Sequence, residues 1–481
     1  MKAEEAYETV IGLEVHAQLL TKTKLFCADT TAFGREANTQ VSAISLAHPG
    51  TLPKMNKEAI RLAITLGLAT GSQIVQQNYF ARKNYFYPDL PKGYQISQHT
   101  TPICKGGELA ITVGQQKRAV RLNRIHIEED AGKSIHDGEG LFTQLDFNRA
   151  GTPLLEIVTE PDLRSAEEAA AYVTTLRKLV RHLGVCDGNM EEGSMRCDVN
   201  ISVRKKGDKK LGTRVEIKNL NSIRYIKKAI EYESKELIKK LEKGETILQQ
   251  TKGLDDASFI TYVIRTKEDE DDYRYFPEPD LPPFSISTEF IESVKQSIPP
   301  LQSEIKAKVQ EQYGLPEYDA SLLAEDMELA NYFFSLTENT INYKAAANWV
   351  LGPIKNHLAE NETAELSALP PASVAELVRL IDEAVISYGI AQKIFPQLLA
   401  NPALDIANYI KEQNLQMQSG SETEAHIDAA LTKHAQKITE YKKGKKGLLS
   451  LFVGEVMKLS KGKANAEEVT KRILEKINQQ A

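Results

Sequence analysis

Carboxylates and an imidazole interrupt otherwise apolar patterns in the first 200 residues: Glu14 with His16, the adjacent Glu128 and Glu129, and Glu156. Oxygen and imidazole ligands of this kind suit a divalent cation, and a cation beside a carboxylate serves phosphoryl transfer by neutralising nucleotide charge. The stretch His126 to Ser134, His-Ile-Glu-Glu-Asp-Ala-Gly-Lys-Ser, ends like a phosphate-binding P-loop. However, the glycine required five positions before Gly132 is Ile127, so backbone N–H groups cannot wrap a phosphate there. Glu128, Glu129, Asp130 and Lys133 instead suit a metal and phosphates held by side chains. Glu156 lies inside Pro153-Leu154-Leu155-Glu156-Ile157-Val158, where a buried carboxylate is costly unless paired or metal-bound. A structural salt bridge and a cation ligand both satisfy that demand.

Strands must position these groups. Tyr7 to Leu19 alternates, with Tyr7, Thr9, Ile11, Leu13, Val15, Ala17 and Leu19 on one side and Glu8, Gly12, Glu14, His16 and Gln18 on the other. A period of two puts Glu14 and His16 on one face, roughly 7 Å apart. Met195 to Arg204 repeats the pattern, with Arg196, Asp198, Asn200, Ser202 and Arg204 opposite an apolar side. Arg214, Glu216 and Lys218 share one side of the next strand. Each face alone reads equally as the wet side of an antiparallel sheet. The short ligands Glu14, His16, Asp198 and Asn200 together favour a Mg²⁺ site, with a hydrogen-bonded structural histidine the alternative for His16.

Arg82 to Asp89 and Lys92 to Gln98 mix cations, aromatics and amides between Pro and Gly. That composition fits stacking on an adenine or a nucleic-acid end, and also an aromatic-stapled loop. There is no Gly-x-Ser-x-Gly elbow and no cysteine in a Gly-flanked turn, so a self-contained hydrolase is not expected.

At 481 residues the chain is about three times a typical domain length, so two or three domains are expected. Helices are predicted from the Ser165 cap and Glu168 to Gly184, and from Ser222 to Gly244. Tyr275 to Pro283 carries four prolines and reads as a rigid extended connection. From Pro300 the pattern is helical, with breaks near Asn401-Pro402 and at Gln418 to Ser421. The net charge of −6 gives no global bias towards nucleic acid. The tail departs from this: Lys433 to Lys463 holds nine lysines against two acids, which suits phosphate attraction and equally a solvated lysine-rich helix pair. Cys27, Cys104, Cys186 and Cys197 are widely separated, consistent with a reducing cytoplasm and with neither a disulfide framework nor a structural zinc. Met1 to Glu5 lacks a signal-peptide core, and Ala59 to Ala69 is too short to span a bilayer, so no membrane role is expected.

Taken in order, Tyr7 to His16, Arg82 to Asp89, His126 to Ser134, Asn148 to Val158, Met190 to Asn200, Glu216 to Ser222 and Asp272 to Pro283 resemble the B subunit of the aspartyl/glutamyl-tRNA amidotransferases. The resemblance runs essentially end to end and includes the tail Lys461-Gly462-Lys463-Ala464-Asn465. It implies an α+β fold: a cradle domain with a largely antiparallel sheet over 1–299, an all-α domain over 300–405 and a basic helical tail over 406–481. It also implies that ATP and Mg²⁺ activate the side-chain carboxylate of glutamate on tRNA-Gln or aspartate on tRNA-Asn, and that ammonia then forms the amide.

By motif, His16, Glu129 and Glu156 would be the metal ligands and catalytic set, with Glu128 the less favoured of its pair. Glu14, Asp198, Asn200 and Arg196 would form the ATP pocket. Lys92 would lie on the route of ammonia from an amidase (glutaminase) A subunit, and a small C subunit would brace the pair. Lys442, Lys443, Lys445, Lys446, Lys461 and Lys463 would meet tRNA. A tRNA-docking scaffold and a free-standing Mg²⁺/ATP carboxylate–amine ligase are the rival readings. The sequence departs from the family twice. Only Cys27 remains where many members carry two Cys-x-x-Cys-like pairs, so no zinc is expected. In addition, Thr251-Lys252-Gly253-Leu254-Asp255-Asp256 replaces the usual Thr-Arg-Gly-Trp-Asp-Glu.

Overall fold

The computed structural model describes residues 6–136, 142–266, 273–361, 366–418 and 420–479. Met1 to Glu5, read above for a leader, lie outside the described residues, as do Asp272 of the last cradle motif and Ser419 of the second tail break. The chain divides into two compact units, Met1–Pro299 and Pro300–Ala481.

The first unit is organised by β1 (Tyr7–Gln18), β2 (Ala81–Asn84), β3 (Tyr94–Ser97), β4 (Gln116–Glu129), β5 (Pro153–Thr159), β6 (Met195–Lys205), β7 (Val215–Leu220), β8 (Gln250–Leu254), β9 (Thr261–Thr266) and β10 (Phe276–Pro277). One ten-stranded sheet runs β9-β8-β7-β6-β1-β5-β4 and continues through shorter strands. Both foreseen helices form and pack on each other. The first, α1 (Ala166–His182), has Ser165 as its cap, and its Glu168 accepts from Arg164 N at 2.6 Å. The second, α2 (Ile223–Glu242), starts at Ser222, whose side chain accepts from Tyr225 N. Gly244 follows its end at a φ of +72° that suits glycine. The sheet's pairings are antiparallel except β7 with β8, which α2 joins as a crossover.

Register decides the chemistry of this sheet. Residues directly opposite on paired strands share a face. One row reads Arg196, His16, Glu156, His126, and the next Asp198, Glu14, Val158, Arg124. A third runs Asn200, Glu216, Thr251, Arg265. The opposite face of β1 carries Ile11, Leu13, Val15 and Ala17, all buried in the apolar core. Each such burial contributes about 1.5–3 kcal/mol for a large side chain, which fixes the register and therefore the polar rows.

The second unit is helical throughout its described residues and holds two separate apolar cores. One, centred on Trp349, Phe333 and Leu377, runs from Ile305 to Ile410. The other, around Phe452, Val456 and Ile473, runs from Ile427 to Ile477. The turn at Lys461 to Lys463 is anchored to the first group: Ser387 Oγ donates to Gly462 O at 2.6 Å, and Gln418 N donates to Lys463 O at 3.0 Å. No described helix is long and apolar enough to cross a membrane.

Candidate metal and nucleotide site

Four polar side chains from three neighbouring strands meet at one point. His16 Nε2 lies 3.5 Å from Glu128 Oε1, 3.6 Å from Glu156 Oε2 and 3.7 Å from Glu14 Oε1. His126 approaches the same carboxylates, with Nε2 3.3 Å from Glu156 and 3.6 Å from Glu128. Glu128 and Glu156 thus lie between two imidazoles. All but the partly exposed Glu14 are buried.

The electrostatics follow from that packing. Burial opposes the charged form of Glu156, yet His126 and His16 hold its carboxyl well below the usual range. At Glu128 burial is likewise overcome, chiefly by His126, and its carboxyl is lowered too. Burial opposes an imidazolium at His126, but Glu156 and Glu128 push it up to about 9. Glu14 goes the other way: burial and the Glu156 charge push it up to about 7. A carboxylate held so reluctantly in its ionised form is a site that an added cation would relieve.

Two donor sets have ligand atoms close enough to hold one ion: His16 with Glu128 and Glu156, and Glu14 with His16 and Asp198. In the second, Lys218 Nζ already lies 3.0 Å from Asp198 Oδ2, and Asn219 N donates to Oδ1 at 2.8 Å. In the first set the cation already present is the His126 imidazolium, 3.3 Å from Glu156 and 3.6 Å from Glu128, which a metal ion would displace by taking over both carboxylates. The Nδ1 atoms of His16 and His126 are buried without a hydrogen-bond partner. Carboxylate oxygens with one imidazole and no thiolate fit a hard divalent cation such as Mg²⁺.

Two expectations need correction. Glu129 does not join His16 and Glu156: β4 alternates, so Glu128 faces the cluster and Glu129 turns to the other side. There Lys92 Nζ donates to it at 2.5 Å and Ile96 N at 2.8 Å. Arg196 does not line the cavity beside this cluster either. Its guanidinium donates to both oxygens of the buried Asp130 at 3.2 and 3.3 Å, and Gln18 Nε2 donates there too at 2.9 Å. Asp130 needs that arginine because a buried carboxylate must be paired.

A cavity of about 320 Å³ opens above the cluster. Glu14, Arg124, His126, Glu128 and Glu156 line its floor, and Asn200, Arg214, Lys218, Thr251 and Arg265 line one end. Lys83, His99, Tyr273 and Tyr275 close the other. Asn200 lines this cavity, whereas Asp198 does not and is paired with Lys218. The sequence reading missed His126 and Lys83 as site residues. His126 was visible in principle, because it shares the parity of Glu128 within the motif His126 to Ser134.

Near Cys27, Asp29 acts as a hub. Its Oδ2 accepts from Cys27 Sγ at 3.2 Å, from Ser42 N at 2.9 Å and from Ser45 Oγ. These hydrogen bonds close the loop that carries the cysteine departure.

Fold and site together define a class: a sheet protein suited to hold a divalent cation beside an anionic ligand. Comparison with known proteins gives the family. The profile described as the GatB/GatE catalytic domain matches residues 9–292, and a second, described as a GatB domain, matches 331–477. The chain is 48% identical to the B subunit of the aspartyl/glutamyl-tRNA(Asn/Gln) amidotransferase of Alkalilimnicola ehrlichii, covering 98% of this chain and 99% of the relative. B subunits of the same name from Bdellovibrio bacteriovorus (44% identical) and Caldicellulosiruptor saccharolyticus (46%) are matched over 99% and 98% of this chain and the whole of each relative. The chain belongs to the GatB/GatE family, among the B subunits of tRNA-dependent amidotransferases, and is thus one component of an amidotransferase.

Proposed function

We propose that this chain performs the activation and amidation steps of a heterotrimeric amidotransferase on Glu-tRNA(Gln), Asp-tRNA(Asn) or both. The carboxylate oxygen of the acceptor amino acid attacks the γ-phosphorus of ATP and ADP leaves. Ammonia then adds to the acyl carbon, phosphate departs with the C–O electron pair, and the nitrogen loses a proton. A carboxylate needs this activation because its own oxygen is a poor leaving group.

His16, Glu128 and Glu156 would hold Mg²⁺, which when bound neutralises phosphate charge and polarises the transferring group. Glu14 supports the same centre. Arg214, Lys218 and Arg265 provide the positive end of the cavity for phosphates, with Asn200 and Thr251 as hydrogen-bonding groups beside them. Lys92 lies on the route of ammonia from an amidase A subunit, and a small C subunit braces the pair. The exposed lysines 442, 443, 445 and 446, with 461 and 463, attract the tRNA backbone. This reading places the chain in the cytoplasm and calls for no zinc.

One observation carries the reading: acidic, imidazole and cationic side chains of adjacent strands share a face and a cavity. A scaffold has no need to bury that cluster. The test uses purified subunit combinations with each mischarged tRNA separately. With ammonia supplied, ATP-dependent amide formation must require this chain, and this chain alone must not hydrolyse glutamine. Amidation that proceeds without it contradicts the proposal.

A further inference from the structure

Lys83 occupies an unusual position for a lysine. It lies on β2 opposite Gln95 of β3 and lines the end of the cavity away from Arg214, Lys218 and Arg265. Among the described residues its ammonium makes no hydrogen bond and no ion pair. It is held by aromatic rings, 4.8 Å from the Tyr273 centroid and 5.8 Å from that of Tyr85. Two other cations of the cavity are engaged: Arg124 Nη2 is 3.7 Å from Glu156, and Lys218 meets Asp198 and Glu216 at 3.0 and 2.9 Å. Rings stabilise a cation without neutralising it, so the Lys83 charge remains available to an anion that enters.

The surroundings fix this lysine in place. The segment after Tyr273, read above as a rigid connection, docks on β2 as strand β10, with Phe276 opposite Arg82. Arg82 forks onto the buried Glu278 at 2.7 and 2.9 Å, and Asn84 Nδ2 donates to Tyr273 O at 3.2 Å and Arg274 O at 2.8 Å. Residues on both sides of Lys83 therefore hold the backbone that carries the Tyr273 ring over it. Burial opposes the ammonium, but Tyr275 first and the charges of Glu128 and Glu156 after it hold it protonated.

Lys218 meets Asp198 beside Glu14, whereas β3, which pairs with the Lys83 strand, reaches Glu128 through Ser97 at 3.4 Å, so the carboxylate cluster lies between the two cations. A phosphoryl group leaving the Lys218 side needs its acceptor on the Lys83 side. We propose that Lys83 binds the side-chain carboxylate of the acceptor amino acid and presents it across the metal cluster from the nucleotide phosphates. This rests on the activation reading of the preceding subsection and deepens it by assigning the acceptor's place.

The test compares, for the assembled complex with a non-hydrolysable ATP analogue, the affinity for tRNA bearing the acidic amino acid with that for tRNA bearing its neutral amide. The wild type should favour the acid by about tenfold, the worth of one charge-assisted hydrogen bond. Lys83→Met should bring that ratio to near one, leave affinity for the ATP analogue and for Mn²⁺ within about twofold, and raise KM for the charged tRNA. Lys83→Arg should retain most of the ratio. If Lys83→Met does not fold, Lys83→Gln is read the same way. An unmoved ratio, or a loss of nucleotide affinity with the ratio intact, overturns the assignment. A wild-type complex that consumes no ATP in response to charged tRNA contradicts the activation reading itself, so the two failures are distinct.

Discussion

Glu128 and Glu129 are adjacent in the chain and serve opposite faces of one sheet: Glu128 Oε1 lies 3.5 Å from His16 Nε2, while Glu129 lies 2.5 Å from Lys92 Nζ. Strand alternation permits only one of them to face the cavity. Pairing of β4 with β5 selects Glu128, because it sets His126 opposite Glu156 and Glu128 opposite Leu154. Glu129 meanwhile accepts from Lys92 and from Ile96 N, which leaves it little capacity for a cation.

Glu14 should make the metal-free protein less stable at neutral than at acidic pH. Burial and the nearby Glu156 charge raise its carboxyl from an ordinary 4.5 to about 7. A raised folded pKa means that the folded state favours the protonated form, so stability is lost as pH rises from about 4.5 to about 7. The loss is on the order of 3 kcal/mol by linkage. Urea unfolding in EDTA at pH 4.5 and pH 7.5 should show a larger fall for the wild type than for Glu14→Gln. Saturating Mg²⁺ should shrink the difference; parallel profiles for the two proteins would refute it.

Arg196 and Asp130 should prove structural. Burial opposes the Asp130 carboxylate, but Arg196 outweighs it and holds the carboxyl below its usual range, so the pair stabilises the fold above the ordinary carboxylate pKa. That contribution is lost as pH falls through the depressed value. Arg196→Met leaves the buried Asp130 with Arg149, 3.5 Å away, as its remaining cation and should cost about 3 kcal/mol, the low end for a broken buried pair. ATP-analogue affinity, measured below the lowered melting temperature, should change by less than about threefold. A nucleotide defect without a stability defect would restore Arg196 to the ATP pocket.

The tail lysines should act through charge alone. Lys442, Lys443, Lys445 and Lys446 are exposed, and Lys446 sits 4.5 Å over the Tyr441 ring. Changing all four to Gln should weaken tRNA binding and reduce the slope of log affinity against log salt by about three, roughly 0.7–0.9 for each of the four phosphates no longer neutralised. Filter binding between 50 and 200 mM salt, as approximate limits, measures it. An unchanged slope would leave these lysines as a solvated face.

Much of this site was legible in the chain. The alternation of Tyr7 to Leu19 put Glu14 and His16 on one face, and the same period set Asp198 and Asn200 together. Glu156 stood out as a carboxylate in an apolar run. The choice between Glu128 and Glu129 was not legible locally, because parity matters only once the partner strand and its register are known. Arg196 misled for a related reason: it shares parity with Asp198, but its partner Asp130 lies 66 residues away in sequence. Lys83 stayed hidden because its setting depends on Tyr273, far along the chain, folding back onto β2. The boundary at Pro299 to Pro300 was legible because the pattern changes from alternating to helical periodicity at that point.

Mn²⁺ binding followed by electron paramagnetic resonance, on the wild type and on Glu128→Gln, Glu129→Gln and Glu156→Gln, tests the central claim most directly. Glu128→Gln and Glu156→Gln should each weaken binding at least tenfold, on the order of the loss of one charged ligand, while Glu129→Gln stays within about threefold of the wild type. Binding lost in Glu129→Gln and retained in Glu128→Gln would contradict the account.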